Sequence, residues 1–121
     1  MANDNISEAE YLRDKFPYGH QKFIPLCLEE MDLHSRKNHD YAYSGDPLGN
    51  FHRVSDMLHT WRVNCPPWGV AFIYMMKQVD AVGNMLGNNY EGEVEGLKGR
   101  LQDISVYAKL IGILYDERER T

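Results

Sequence analysis

The chain has 121 residues, a formal net charge of −5, and 43% hydrophobic against 26% charged residues. That is room for one domain, 1–121, with an ordinary globular balance and no need of a metal or disulfide to hold it together. An acidic chain with no basic stripe excludes a nucleic-acid polymer as its partner and argues equally against a membrane surface.

The longest apolar run, Trp68 to Met76, is too short to span a bilayer. The opening MANDNISEAEYLRD lacks the segments of a secretion signal. Cys27 and Cys65 share no CxxC spacing and read as reduced thiols. A cytoplasmic location is the expectation from these three features.

Breaks fall at Pro17-Tyr18-Gly19, Ser44-Gly45-Asp46-Pro47, Cys65-Pro66-Pro67 and Gly87-Asn88-Asn89. Between them the apolar pattern is helical, and no strand pattern stands out. Ser7-Glu8-Ala9-Glu10 has capping-box spacing and predicts a short first helix to about residue 15. The second is expected over about 21–38 and the third over about 48–62. The fourth starts near Pro67, where proline suits the first turn, and stops before Gly87. The fifth is expected over about 93–117. Together these predict an all-α fold, an antiparallel four-helix bundle with an extra short N-terminal helix.

Val94, Leu97, Leu101, Ile104, Ala108, Ile111 and Tyr115 recur at spacings of three and four, a bundle-type seam on the fifth helix. Val106, Leu110, Ile113 and Leu114 add a second apolar strip. One small bundle does not need both, so the surplus predicts a homo-oligomer, a dimer or higher, with cover by the N-terminal helix as the alternative. The fourth helix is apolar almost all round from Trp68 to Met76, which predicts a central position.

Several polar residues fall where a helical core wants apolar ones. On the second helix Phe23, Ile24, Cys27 and Met31 set an apolar face, and Glu30, His34, Lys37 and Asn38 fall on or beside it. A glutamate and a histidine four apart can share a metal ion, or simply pair. The fourth helix carries Lys77, Asp80 and Asn84 on one side, and buried charges of this kind need partners. Asp103 lies in line with Tyr107, Leu110 and Leu114 on the fifth. Glu95 fits either a site or the positive end of the helix dipole.

Between the second and third helices, Lys37-Asn38-His39-Asp40-Tyr41-Ala42 and Asp46-Pro47-Leu48-Gly49-Asn50-Phe51 hold more donors and acceptors than a connector requires. Asn38 and Asp40 can ligate a hard cation, Lys37 can meet a phosphate, and Tyr41 can stack on a base. Asn50 has the alternative role of capping the third helix. His52, His59 and Asp56 read as a solvated face, and His20 as incidental. Neither GxxxxGK[ST] nor GxGxxG occurs.

The strings HSRKNHDYA, DPLGNF, PPWGVAFIYMMKQVDAV and VEGLKGRLQDISVYAKL resemble, over about residues 24–115, a group of small phage-borne and bacterial helical proteins associated with nucleotide modification. That group is similar in style to the all-α, MazG-like nucleoside triphosphate pyrophosphohydrolases. The most specific pieces are K-N-x-D-Y and D-I-x-x-Y-A.

The resemblance implies an oligomeric helical bundle whose carboxylates hold Mg²⁺ (or Mn²⁺) against the phosphate chain of a nucleotide. Carried over, Lys37, Asn38, Asp40 and Tyr41 match the first motif, Lys77 and Asp80 the central helix, Asp103 and Tyr107 the last motif. The implied activity is a metal-dependent nucleotide hydrolase. In it Glu30, Asp80 and Asp103 serve as catalytic and metal-side carboxylates, and His34 as an auxiliary ligand or proton carrier. Lys37, Asn38, Asp40, Tyr41, Lys77 and Tyr107 would then contact the nucleotide. The sequence departs from the pyrophosphohydrolase pattern in lacking clean E-x-x-E and E-x-x-D motifs: three residues after Glu29-Glu30 stand Asp32 and Leu33. The alternatives are a protein that binds a nucleotide without turning it over, and a structural helical oligomer.

Overall fold

The computed structural model describes residues 7–41 and 46–118. It is all-α: α1 (Glu8–Lys15), α2 (Phe23–Tyr41), α3 (Gly49–Thr60), α4 (Pro67–Gly87) and α5 (Leu97–Glu117). Among the described residues there is no strand, and no helix is long and apolar enough to cross a membrane. The chain divides into two compact units, Met1–Asp40 and Tyr41–Thr121.

In the first unit the capping signal works as expected. The Glu10 N–H donates to Ser7 Oγ at 3.2 Å, satisfying one of the donors that a helix N-terminus leaves unpaired. The turn after α1 passes through Gly19 at φ 121°, a conformation glycine adopts freely. His20 is not incidental: its Nδ1 accepts the Lys22 N–H at 3.0 Å and its carbonyl accepts the Phe23 N–H at 3.0 Å, so it opens α2. Helix α2 then runs three residues past its expected end. The Asn38 amide donates backward to the His34 carbonyl at 3.3 Å, and the helix carries on to Tyr41. Lys37, Asn38, His39, Asp40 and Tyr41 therefore form the last turns of a helix and not a loop.

In the second unit, Asp46 sets the start of α3. Its carboxylate accepts the Leu48 N–H at 3.1 Å and its carbonyl the Gly49 N–H at 3.2 Å. Asn50 is not the cap; Leu48 holds that position without a side-chain bond. The turn seats Leu48 and Phe51 in the core with Val70, Ala71 and Leu114. Ser55 Oγ donates to the Cys65 carbonyl at 2.6 Å and ties α3 to the prolines that open α4.

Both α3 and α4 end in a Schellman arrangement. Arg62 at φ 62° lets Val63 N–H reach the Leu58 carbonyl, and Asn89 at φ 51° lets Tyr90 N–H reach the Met85 carbonyl. Asparagine tolerates this left-handed conformation, whereas arginine is strained by it. Arg62→Gly is therefore expected to raise stability by about 0.5–1 kcal/mol, measured as a higher urea midpoint.

Two expectations for α5 are corrected. The helix begins at Leu97, not near 93, because Gly92 turns the chain at φ 94° and Gly96 caps in an extended conformation. Val94 is consequently fully exposed and belongs to no seam. The core-facing line draws on both strips, with Ile111 from the first and Leu110 and Leu114 from the second, while Ile113 of the second is exposed. Leu114 is buried and Tyr107, Leu110 and Ile111 pack against the core, whereas Leu101 and Tyr115 are exposed. Tyr107 settles this rotation: its ring meets Phe51 at 6.4 Å and Tyr74 at 6.3 Å, contacts that an alanine at position 108 does not offer. Helix α4 buries Val70, Ala71 and Met85 on one side, while Phe72, Ile73, Met76, Val79 and Leu86 are exposed on the other.

Candidate functional site

The polar residues nominated from the sequence fall into three places. The first is the end of α2. Glu30, His34 and Asn38 share a half-buried stripe, whereas Lys37 and Asp40 are exposed. The Asn38 amide donates to the His34 ring, with Nδ2 and Nε2 2.9 Å apart, so that imidazole nitrogen is already engaged. His39 and the Asp40 carboxylate lie 3.8 Å apart as an exposed pair, an arrangement worth little in water. Of Tyr41 only the backbone is described, as the last residue of α2, so the expectation for its ring lies outside the described residues.

The second place is the outer side of α4, where Lys77, Asp80 and Asn84 are exposed. At about 100° per residue, Asp80 points away from the side of α4 that carries Gln78.

The third is within the α4–α5 pair, and here the structure brings groups together. Gln78 on α4 accepts from Arg100 Nη1 at 2.9 Å through Oε1, and donates through Nε2 to Asp103 Oδ2 at 3.4 Å. Arg100 Nη2 also lies 3.8 Å from Glu95 Oε2, with the arginine side chain 23% exposed. Among the described residues, Arg100 Nε and Gln102 Nε2 are buried without a hydrogen-bond partner. One helical turn toward the core, at Tyr74 and Tyr107, the facing residues change from polar to aromatic. Asp103 and Tyr107 are thus neighbours of one cluster, as the sequence suggested. Their α4 counterparts are Gln78 and Tyr74, not Lys77 and Asp80.

The nominated residues thus missed Gln78 and Arg100, and Glu95 was left open. A signal for Gln78 exists: seven residues after buried Ala71, it must lie on the same side of α4. Arg100 is three before Asp103 and so neighbours it on α5.

The chemistry of this donor set suits an anion better than a metal. Mg²⁺ asks for several oxygen ligands in near-octahedral order. Here Asp103 meets the Gln78 amide, and Glu95 lies beside a guanidinium that already brings it a positive charge. Among the described residues no group of three or more His, Cys, Asp or Glu side chains is arranged to hold a metal ion. Of the expected set, Glu30 and His34 lie on α2 in the first unit, and Asp80 and Asp103 on α4 and α5 in the second.

Cavities lined by described residues lie elsewhere. One of about 310 Å³ is lined by Ser55, Asp56, His59 and Asn64 at the end of α3. Another of about 520 Å³ is lined by Phe16, Tyr18, Phe23 and Ile24 in the first unit, and its walls are mainly apolar. Neither contains a residue of the Gln78–Arg100 cluster. Comparison with families of known proteins, with curated proteins and with solved structures gave no match.

Proposed function

We propose that this protein binds a nucleoside phosphate at the α4–α5 cluster, with Arg100 as the phosphate-facing group. The observation that carries the reading is the state of that guanidinium. It is positioned by the 2.9 Å bond it donates to Gln78 Oε1, stands at 3.8 Å from Glu95, and retains a buried Nε donor without a partner. Arginine held in this way offers a planar fork of donors that matches phosphate oxygens. Gln78 and Asp103 fix the fork's orientation, so little side-chain entropy is lost on binding. Tyr107 and Tyr74, one turn away, are the aromatic groups nearest to meet a base. The order of K-N-x-D-Y and D-I-x-x-Y-A along the chain supports a nucleotide as the ligand class.

Metal-dependent hydrolysis of the same ligand is the second reading. It is favoured by the presence of two carboxylates, Glu95 and Asp103, in one cluster, and by the resemblance to MazG-like hydrolases. The donor set described above does not fit Mg²⁺ unaided, and no step is derived through it.

The test is to incubate near-stoichiometric protein with a panel of nucleoside mono-, di- and triphosphates, with Mg²⁺ and then with EDTA. Retained and released nucleotides are both quantified by chromatography. Retention that survives EDTA, with the nucleotide recovered unchanged on heating, is the expected result. Arg100→Met is expected to weaken retention by roughly tenfold or more, the scale of a lost charge-assisted bond. Lys77→Met, on another side of α4, is expected to leave it unchanged. Product that accumulates only with Mg²⁺ establishes the hydrolase reading instead, and a panel that passes untouched overturns both.

A further inference from the structure

We infer that the group selected at the α4–α5 cluster is a phosphodiester, one phosphoryl group carrying one negative charge, and not the phosphate chain of a nucleoside triphosphate. The inference rests on the nucleotide reading above and narrows its ligand.

The first ground is which donors of Arg100 remain for a ligand. A guanidinium presents its N–H groups along edges, and each edge matches two oxygens of a single tetrahedral anion. Nη1 is engaged with Gln78 Oε1 at 2.9 Å. Nε is buried without a partner, and Nη2 stands 3.8 Å from Glu95 Oε2, beyond hydrogen-bond distance. That leaves the Nε–Nη2 edge for a ligand. The two non-bridging oxygens of a phosphodiester fit such an edge, and the further phosphoryl groups of a triphosphate would lie beyond it.

The second ground is charge. Glu95 stands beside the same guanidinium, so the two groups together are close to neutral. Asp103 lies across Gln78, with its Oδ2 3.4 Å from the amide. Phosphate is therefore recognised here through directed donors and not through a surplus of positive charge. A polyphosphate chain is ordinarily met by a metal ion and a lysine acting together. Here a carboxylate adjoins the arginine instead, and it belongs to the turn between Gly92 and the N-cap Gly96 of α5. Every ligand charge beyond the first is set against that carboxylate. In a half-exposed site, a like charge several ångströms away weakens binding by roughly tenfold.

Equilibrium dialysis of the full chain in EDTA tests this by comparing cyclic mononucleotides, dinucleoside monophosphates and nucleoside mono- and triphosphates, base by base. A phosphodiester is expected to bind roughly tenfold or more tighter than the triphosphate of the same base. Whichever of the cyclic and linear diesters binds tighter identifies the form that is recognised. Glu95→Gln keeps the size of the side chain and removes its charge. It is expected to strengthen triphosphate binding by roughly tenfold and diester binding by less, so that the preference narrows, with helicity by circular dichroism unchanged. Arg100→Met is expected to weaken both. A wild type that holds the triphosphate as tightly as the diester, or a preference that Glu95→Gln leaves unchanged, overturns the inference and leaves the nucleotide reading standing. If no diester is retained the inference falls, and if no mono- or triphosphate is retained either, the nucleotide reading falls with it.

Discussion

Phe51→Ala is expected to lower the stability of the folded chain by about 3–5 kcal/mol, seen as a large fall in the urea midpoint with little change of slope. Phe51 belongs to the Asp46-Pro47-Leu48-Gly49-Asn50-Phe51 string, which read as a sequence invites a binding role. The structure makes it a core residue, 3% exposed and in contact range of both Tyr74 (5.8 Å between ring centroids) and Tyr107 (6.4 Å). Removing the ring takes away its transfer free energy and leaves a cavity walled by two other aromatics. Those rings are held by helices α4 and α5 and can close the gap only in part. Asn50, next to it and exposed, supplies the contrast: Asn50→Ala is expected to shift stability by no more than about 0.5 kcal/mol. If Phe51 contacted a ligand instead, its removal would spare the midpoint and abolish binding.

Phe51 also shows why parts of this protein are legible from its sequence and others are not. The start of α1 and both ends of α4 are written locally. Ser7 and Glu10 mark the first, and Pro67 and the Gly87-Asn88-Asn89 break mark the others, so the elements lie where expected. The end of α2 depends on which way the Asn38 amide turns, and it turns back onto His34 and prolongs the helix. The start of α5 depends on the left-handed turn at Gly92, which no periodicity reveals. Its core-facing side depends on Tyr107 meeting two other rings, a tertiary contact that seats Ile111 of one apolar strip beside Leu110 and Leu114 of the other.

The α4–α5 cluster illustrates the same limit for function. On a mostly apolar α4, charge alone singles out Lys77 and Asp80, and both are exposed. The residue that turns inward is uncharged Gln78, whose amide can satisfy an arginine and an aspartate at once without the desolvation penalty of a third charge. Arg100 sits in a stretch of alternating charge and glycine that reads as a solvated helix start. Only the packing of α5 on α4 shows which of these groups face one another. Asp103 and Tyr107 were legible because both lie on the line that ends in buried Leu114.

Gly92→Ala is expected to lower stability by about 2–4 kcal/mol and to weaken binding at the α4–α5 cluster together with it. Two effects add. At φ 94° an L side chain is strained whatever space surrounds it. A Cβ there would also press on the Glu95 carbonyl oxygen and come within 3.0 Å of the Met85 side chain. The turn must therefore shift, and Glu95 shifts with it. Glu95 stands 3.8 Å from Arg100, so the change reaches the proposed phosphate-binding guanidinium through the backbone. Gly112→Ala is the matched control. Position 112 lies within α5 with nothing within 4 Å of the added carbon, and the substitution is expected to raise stability by about 0.5–1 kcal/mol. Urea unfolding of the three proteins, with nucleotide retention measured well below the midpoints, separates the two consequences. A Gly92→Ala chain that keeps both its midpoint and its retention would show that the turn is free to rearrange and that Glu95 does not position Arg100. A lower midpoint with full retention would keep the strain and remove Glu95 from the site.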